Sequence, residues 1–322
     1  MNKLMKRRSL KKILSIIISV VLVLFIGLSY VLGRLVYKGS VGSSQKIKNE
    51  DVVEVFSKEE DKPLYELEKY KHEKFMIPSS NGYDVETMFI KSNIETNKTI
   101  IIVHGIETYY FKWLKTAFGY LENGYNVVIY NQRHTGNTGG KDFTFGLYER
   151  YDLDAAVNFV KNKFPKGMIG VHGYSMGAAT ATMHTELNEK KKKVDFYILD
   201  SPYSEMADAV RLGIEAENIP LIPTSYIASC GNLYTKIFSG FTYDEIKPYE
   251  AVKNISVPVM LIHGTADTVC APNNSTKIYE TIPHNKKELW FIEGSKHVKG
   301  VDDVKKEYFK RIFNFINKNV EI

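Results

Sequence analysis

Cysteine is scarce in this chain of 322 residues. Only Cys230 and Cys270 occur, with no further ligands at close spacing, so the pair does not make a metal site. A location outside the cytoplasm would permit a disulfide between them; two separate thiols is the simpler reading. Net charge is also scarce once its position is considered. The formal +6 comes from 43 basic against 37 acidic residues, and Lys3, Lys6, Arg7, Arg8, Lys11 and Lys12 crowd the first twelve positions with no acid among them. Removing those six leaves 37 residues of each sign. The body of the protein is therefore neutral, and it has no basic stripe with interleaved aromatics, which argues against a nucleic-acid partner. There is no internal repeat.

What the chain has in excess is one apolar run. Ile13 to Gly33 carries no charge over 21 residues, about 32 Å at helical rise and enough to cross a bilayer core. Six basic residues precede it, and only Arg34 and Lys38 follow closely. This predicts a basic cytoplasmic tail over 1–12, a transmembrane anchor over 13–33 and the rest of the chain outside the cell membrane. The competing reading is a cleaved signal peptide, with Gly27-Leu28-Ser29 as a poor cleavage site behind an unusually long apolar region. Residues 34–71 are expected to form a tether, polar and charged from Gly39 to about Pro63.

From residue 72 onward the pattern is regular. Glu73 to Pro78 and Tyr83 to Ile90 read as strands around Ser79-Ser80-Asn81-Gly82, a hairpin signal. Strand and helix patterns then alternate. Strands are expected at Thr99–Val103, Asn126–Tyr130, Met168–His172, Val194–Leu199, Val257–Ile262 and Glu288–Ile292. Helices are expected at Phe111–Leu121, Tyr148–Phe164, Ala178–Leu187, near Asn274–Glu280 and at Val301–Asn317. Such alternation predicts an α/β fold, a mainly parallel sheet covered by helices on both faces. The stretch 201–252 breaks the rhythm and is too long for a structureless loop. It reads as a small helical cap inserted in the domain 72–322, or as a peripheral packing excursion.

Gly173-Tyr174-Ser175-Met176-Gly177 lies between a predicted strand and a predicted helix. Glycines on either side of a serine there allow the backbone to double back, and the following helix aims its amide end at the hydroxyl. A serine hydroxyl needs a base, a group orienting that base, and donors for the oxyanion that forms. His297, in Gly294-Ser295-Lys296-His297 after the last strand, is the base candidate; His134, in a glycine-rich loop, is its rival. Asp267, in His263-Gly264-Thr265-Ala266-Asp267, is the acid candidate, and Asp200, at another strand end, is the alternative. The oxyanion donors would be the backbone N–H groups of Met176 and of Ile106, which follows His104-Gly105. Tyr109, Tyr110, Phe111 and Trp113 line an acyl pocket or pack the helix they begin.

These segments, with Ile101-Ile102-Val103-His104-Gly105 and Pro258 to Asp267, resemble α/β-hydrolase-fold serine hydrolases over residues 72–318. The similar branch includes acylglycerol lipase-like and serine aminopeptidase-like proteins. The resemblance implies Ser175, Asp267 and His297 as a triad, with Ile106 and Met176 in the oxyanion hole. It extends to the loop Asn131-Gln132-Arg133-His134-Thr135-Gly136, where relatives often carry an aspartate at the first position. The expected activity is cleavage of a small acyl ester or lipid through an acyl-enzyme, with no cofactor and no metal. Peptide or amide cleavage and a non-catalytic binding protein on the same fold are the alternatives.

Overall fold

The computed structural model describes residues 2–41, 62–106 and 108–320. The chain divides into two compact units, one made of 1–43 with 207–243 and the other of 44–206 with 244–322.

The larger unit is built on an eight-stranded sheet. Its strands are β1 (His72–Pro78), β2 (Asp84–Ile90), β3 (Thr99–Val103), β4 (Asn126–Tyr130), β5 (Ile169–Tyr174), β6 (Phe196–Asp200), β7 (Val259–Gly264) and β8 (Lys287–Ile292), in the order β1-β2-β4-β3-β5-β6-β7-β8. β1 and β2 form the predicted antiparallel hairpin, β2 pairs antiparallel with β4, and every later pairing is parallel. Strands covered on both faces must be apolar throughout. β3, β4, β5, β6 and β7 are buried at every position.

Alternation along each strand divides the core in two. Ile100, Ile102, Ile198 and Ile262 point to one face, where Leu114 and Phe118 of α3 (Leu114–Leu121) meet Tyr308, Phe309 and Ile312 of α10 (Gly300–Asn319). Ile101, Val103, Val171 and Leu199 point to the other. There they meet α4 (Glu149–Lys163) through Leu153 and Val157, α5 (Met176–Lys191) through Ala178 and Ala181, and α9 (Asn273–Thr281) through Ile278. α5 is rich in threonine yet buried. Thr180, Thr182 and Thr185 return their hydroxyls to carbonyls one turn back, which removes the cost of burying them.

Helices occupy both ends of the stretch read as a tether. α1 (Asn2–Gly39) continues past residue 33, and α2 (Lys62–Leu67) leads into Tyr70, whose ring stacks on Phe118. Residues 42–61 lie outside the described residues. The continuation of α1 has a physical reason within the smaller unit. Leu32, Gly33 and Val41 are buried, and Ser29, Val36, Tyr37 and Ser40 are half-buried, because that side of α1 packs along α7 (Thr224–Ser239). α6 (Met206–Ala216) carries the chain into this unit. The helical content expected within 201–252 is present, but residues 201–206 and 244–252 belong to the larger unit. Ser201 N–H bonds the Ile262 carbonyl there, and α8 (Pro248–Ala251) leads into the buried Val252 and Ile255.

Candidate active site

The site is assembled at the carboxyl ends of parallel strands. β5 ends at Tyr174, and Ser175 turns the chain into α5 with φ 53° and ψ −120°, a conformation costly for any residue but glycine. Two backbone hydrogen bonds hold it there. The Ser175 N–H donates to the Asp200 carbonyl at 2.8 Å, and the Ser175 carbonyl accepts from Ala179 N–H at 3.0 Å. Gly173 and Gly177 complete the turn. A Cβ on Gly173 would lie 2.7 Å from the Ala178 backbone, and one on Gly177 would lie 2.5 Å from the His104 carbonyl. The glycine spacing is thus a packing requirement as well as a turn signal.

The hydroxyl so positioned has an imidazole beside it. Ser175 Oγ is 2.8 Å from His297 Nε2, and His297 Nδ1 is 2.6 Å from Asp267 Oδ2. His297 retains some solvent access, 17% of its side chain, whereas the Asp267 carboxylate has none. The loops bearing the two residues are tied together. Thr265 N–H bonds the Ile292 carbonyl, Ala266 N–H bonds the Ser295 carbonyl, and Gly294 N–H bonds Thr265 Oγ1. Ser295 in turn donates to Asp303 Oδ2 at 2.6 Å. Val298, directly after the histidine, is held at φ 50°, an unfavourable angle for a β-branched side chain.

Burial would raise the Asp267 carboxyl pKa. Donors outweigh it: His263, His297 and the Cys270 amide hold the group below the usual carboxylate range. Its Oδ1 accepts the N–H groups of Val269 and Cys270, each at 2.9 Å. His263 Nε2 lies 3.1 Å from Oδ2 and 2.8 Å from the Cys270 carbonyl. Both neighbours are acceptors, so Nε2 carries the hydrogen and Nδ1 accepts from Ser275 Oγ at 2.7 Å. His263 is a neighbour of the acid candidate that the sequence reading missed. The only signal was its spacing of four residues before the aspartate.

The other candidates fall elsewhere. Asp200 supplies its carbonyl to Ser175, but its carboxylate is taken by Tyr308 (2.6 Å) and Ser201 (2.9 Å), and burial raises its pKa. His134, at φ 63°, packs edge-on against Phe143 and has no hydrogen bond to Ser175 or Asp267. His104 donates from Nδ1 to the Gly105 carbonyl (2.7 Å) and accepts Gln132 N–H at Nε2 (2.8 Å). It stiffens the loop that carries Gly105 and Ile106. That loop touches the nucleophile candidate: a Cβ on Gly105 would be 3.3 Å from Ser175 Cβ. Met176 opens α5, so its N–H belongs to the first turn, where no intrahelical acceptor exists.

The aromatic cluster resolves toward packing. Trp113 stacks on Tyr174 at 3.9 Å, and Tyr110 is buried in the same core. Asn131 also has a structural account. Its amide donates to the buried Glu86 at 2.7 Å and its oxygen accepts Tyr110 N–H, a pairing that an aspartate could not make beside a second carboxylate. Cys230 and Cys270 are free thiols, and no cluster of three or more potential metal ligands occurs among the described residues.

Comparison with known proteins finds hydrolases of the same fold. The profile of the family described as Serine aminopeptidase, S33, matches residues 94–241 and 246–299. The uncharacterized protein YqkD of Bacillus subtilis is 32% identical over 245 residues, 76% of this chain and 78% of that one. The lysophosphatidylserine lipase ABHD12 of Macaca fascicularis is 25% identical over 167 residues, 48% of this chain and 37% of the lipase. Among solved structures, the esterase Pf2001 of Pyrococcus furiosus superposes with a TM-score of 0.62 at 25% identity, over 80% of this chain and 94% of the esterase.

Proposed function

The chain belongs to the Serine aminopeptidase, S33, family of α/β hydrolases, and on that premise we propose that it is a serine esterase using Ser175, His297 and Asp267. The observation that carries the reading is the hydrogen-bonded line from Ser175 Oγ through His297 to Asp267 Oδ2, at 2.8 and 2.6 Å. Ser175 Oγ attacks the ester carbonyl while His297 Nε2 takes its proton. The oxyanion that forms is met by the Met176 and Ile106 N–H groups. Collapse expels the alkoxide, which leaves as the alcohol with the proton held by His297. Water then attacks the acyl-enzyme with His297 again as base, and the acid departs. Asp267 holds the imidazole tautomer and stabilises the imidazolium without itself becoming protonated.

Esters are favoured over amides by the named activities of an esterase and a lipase among the similar proteins. The family description favours the second reading, hydrolysis of an aminoacyl amide. The helix Lys11–Gly39, which contains an 18-residue window of mean hydropathy 2.7, supports placing the enzyme on the cell membrane by its N-terminal segment. The basic residues ahead of the stretch support a cytoplasmic N-terminus and a hydrolase unit outside.

The test is labelling by a fluorophosphonate probe, which reacts with an activated serine. Wild type should label, and Ser175→Ala and His297→Ala should not. A folded wild type that stays unlabelled would sink the enzyme reading. Matched nitrophenyl esters and aminoacyl anilides then separate the two substrate classes, with the esters expected to give the higher kcat/KM.

A further inference from the structure

The smaller unit contains a seam between α1 and α7 whose chemistry is that of two helices packed inside a bilayer. Ser29 Oγ and Tyr226 OH are 2.7 Å apart, and the Phe25 and Tyr226 rings lie 5.7 Å apart. Gly33 presses its backbone on α7, where a Cβ would come within 2.5 Å of the Cys230 carbonyl and 2.9 Å of Tyr234 Cβ. Gly231 receives the Val36 side chain in the same way. Further along, Tyr37 OH meets Ser239 Oγ at 3.1 Å, and Ser40 Oγ meets Tyr243 OH at 2.6 Å. Small residues four apart (Ser29, Gly33) and hydroxyl pairs across the contact are how helices associate where no hydrophobic effect draws them together.

The seam also sets a depth. α7 touches α1 at Phe25 and Ser29, about 6 to 12 Å before the end of the charge-free run at Gly33 by helical rise. Every described side chain of α1 from Lys11 to Leu28 is exposed. If that stretch crosses a membrane, the start of α7 lies within the same leaflet.

The composition of α7 fits that position. Over 16 residues it holds one charged side chain, Lys236, which stands near the end where Tyr37 and Ser239 meet. Leu233 and Ile237, each three residues beyond a seam residue (Cys230 and Tyr234), flank the contact and are 62% and 66% exposed. Leu221, in the turn leading to α7, is exposed completely. On the same row of α7 as Leu233 and Ile237, the polar residues Ser225 and Ser229 are also exposed, and Ser229 returns its hydroxyl to the Ser225 carbonyl within the helix.

We propose that α7 is a second lipid-contacting helix, seated on the outer-leaflet half of the anchor, with Leu221, Leu233 and Ile237 against phospholipid acyl chains. The proposal rests on the reading of α1 as a membrane anchor and is independent of the chemistry assigned to Ser175. The full-length protein would be reconstituted in phosphatidylcholine vesicles bearing a diazirine on the acyl chain, irradiated, and mapped by peptide mass spectrometry. Adducts are expected on peptides from 13–33 and equally on peptides covering 219–239. Adducts on α1 with a bare α7 would overturn the proposal and leave the anchor standing. Adducts on neither would overturn both. A parallel reconstitution with the diazirine on the headgroup distinguishes depth: labelling of α7 there alone would mean a surface helix, and would also overturn acyl-chain contact.

Discussion

His263 donates to the same Asp267 oxygen that receives His297, from 3.1 Å on one side against 2.6 Å on the other. A carboxylate with its second oxygen also occupied, by two backbone amides, has no freedom to rotate away from the imidazole it orients. Asp267 is thus fixed by four donors, of which only His297 belongs to the proposed triad.

His263→Ala should therefore lower kcat for ester hydrolysis by about ten- to a hundredfold, since a hydrogen bond to a charged group contributes about 1.5–3 kcal/mol. KM should change little, because His263 is buried beneath the carboxylate. His263→Gln, whose amide can still donate, should recover part of the loss. Steady-state kinetics of the two variants decide this; equal defects would reduce His263 to a packing role.

The two aspartates should separate cleanly. Asp267→Asn is expected to cost on the order of 10⁴-fold in kcat, the scale for losing the tautomer-fixing carboxylate in a serine triad. Asp200→Asn should leave kcat within a few-fold and destabilise by about 1–2 kcal/mol, because the buried Tyr308 hydroxyl loses a charged acceptor. Urea melts beside the kinetics measure both; a large rate defect in the Asp200 variant would reverse the assignment.

The glycines make opposite predictions. Gly177→Ala forces a methyl group against the His104 carbonyl, so it should lower stability by about 1–3 kcal/mol or more. Gly105→Ala has just enough room, at 3.3 Å from Ser175 Cβ, and should fold. It would displace the loop carrying Ile106, with a kcat loss of about 10²- to 10³-fold if that amide serves the oxyanion. Thermal melts and fluorophosphonate labelling rates distinguish the two outcomes.

Acid should unfold the protein earlier than its carboxylates alone would. Burial lowers His172 to about 3 and His104 to about 4. Both folded values lie below the ordinary ~6.5, so the unfolded chain binds protons that the fold refuses. Stability is full above pH ~6.5 and declines as the pH falls toward the folded values; at pH 5 the loss is about 2 kcal/mol for each histidine. The urea midpoint should drop between pH 7.5 and 5, and an unchanged midpoint would contradict neutral burial. Removing the His172 titration with His172→Gln should flatten the slope.

Asn131→Asp tests the loop after β4. It would place a carboxylate where an amide now donates to Glu86 at 2.7 Å. The change should destabilise by about 1–3 kcal/mol near neutrality, through a lost donor and like-charge contact in a buried site. A melting temperature equal to wild type would remove this account of the asparagine.

The strands were legible because residues buried on both faces leave an uninterrupted apolar run: Thr99–Val103 and Asn126–Tyr130 are found at the expected bounds. Helix ends were less so. α5 begins at Met176, two residues before its apolar pattern, and α1 runs to Gly39, because contacts rather than propensity extend them. The serine turn was readable since glycines at fixed offsets mark close backbone approach. His263 was not, since a histidine's partners depend on which loop folds over it.

By itself the sequence determined an alternating α/β chain, a glycine-flanked serine between strand and helix, and one charge-free helix long enough to cross a membrane. Those features are local, set by periodicity, side-chain volume and backbone freedom over a few residues. Only the tertiary structure decided that Asp267 rather than Asp200 meets His297. Both stand at strand ends, and the difference lies in Tyr308, 108 residues away from Asp200 in the chain. It alone decided, too, that Trp113 packs on Tyr174 and that α1 finds a partner in α7. Such choices depend on distances between distant segments, which exist only once the sheet and its loops have closed.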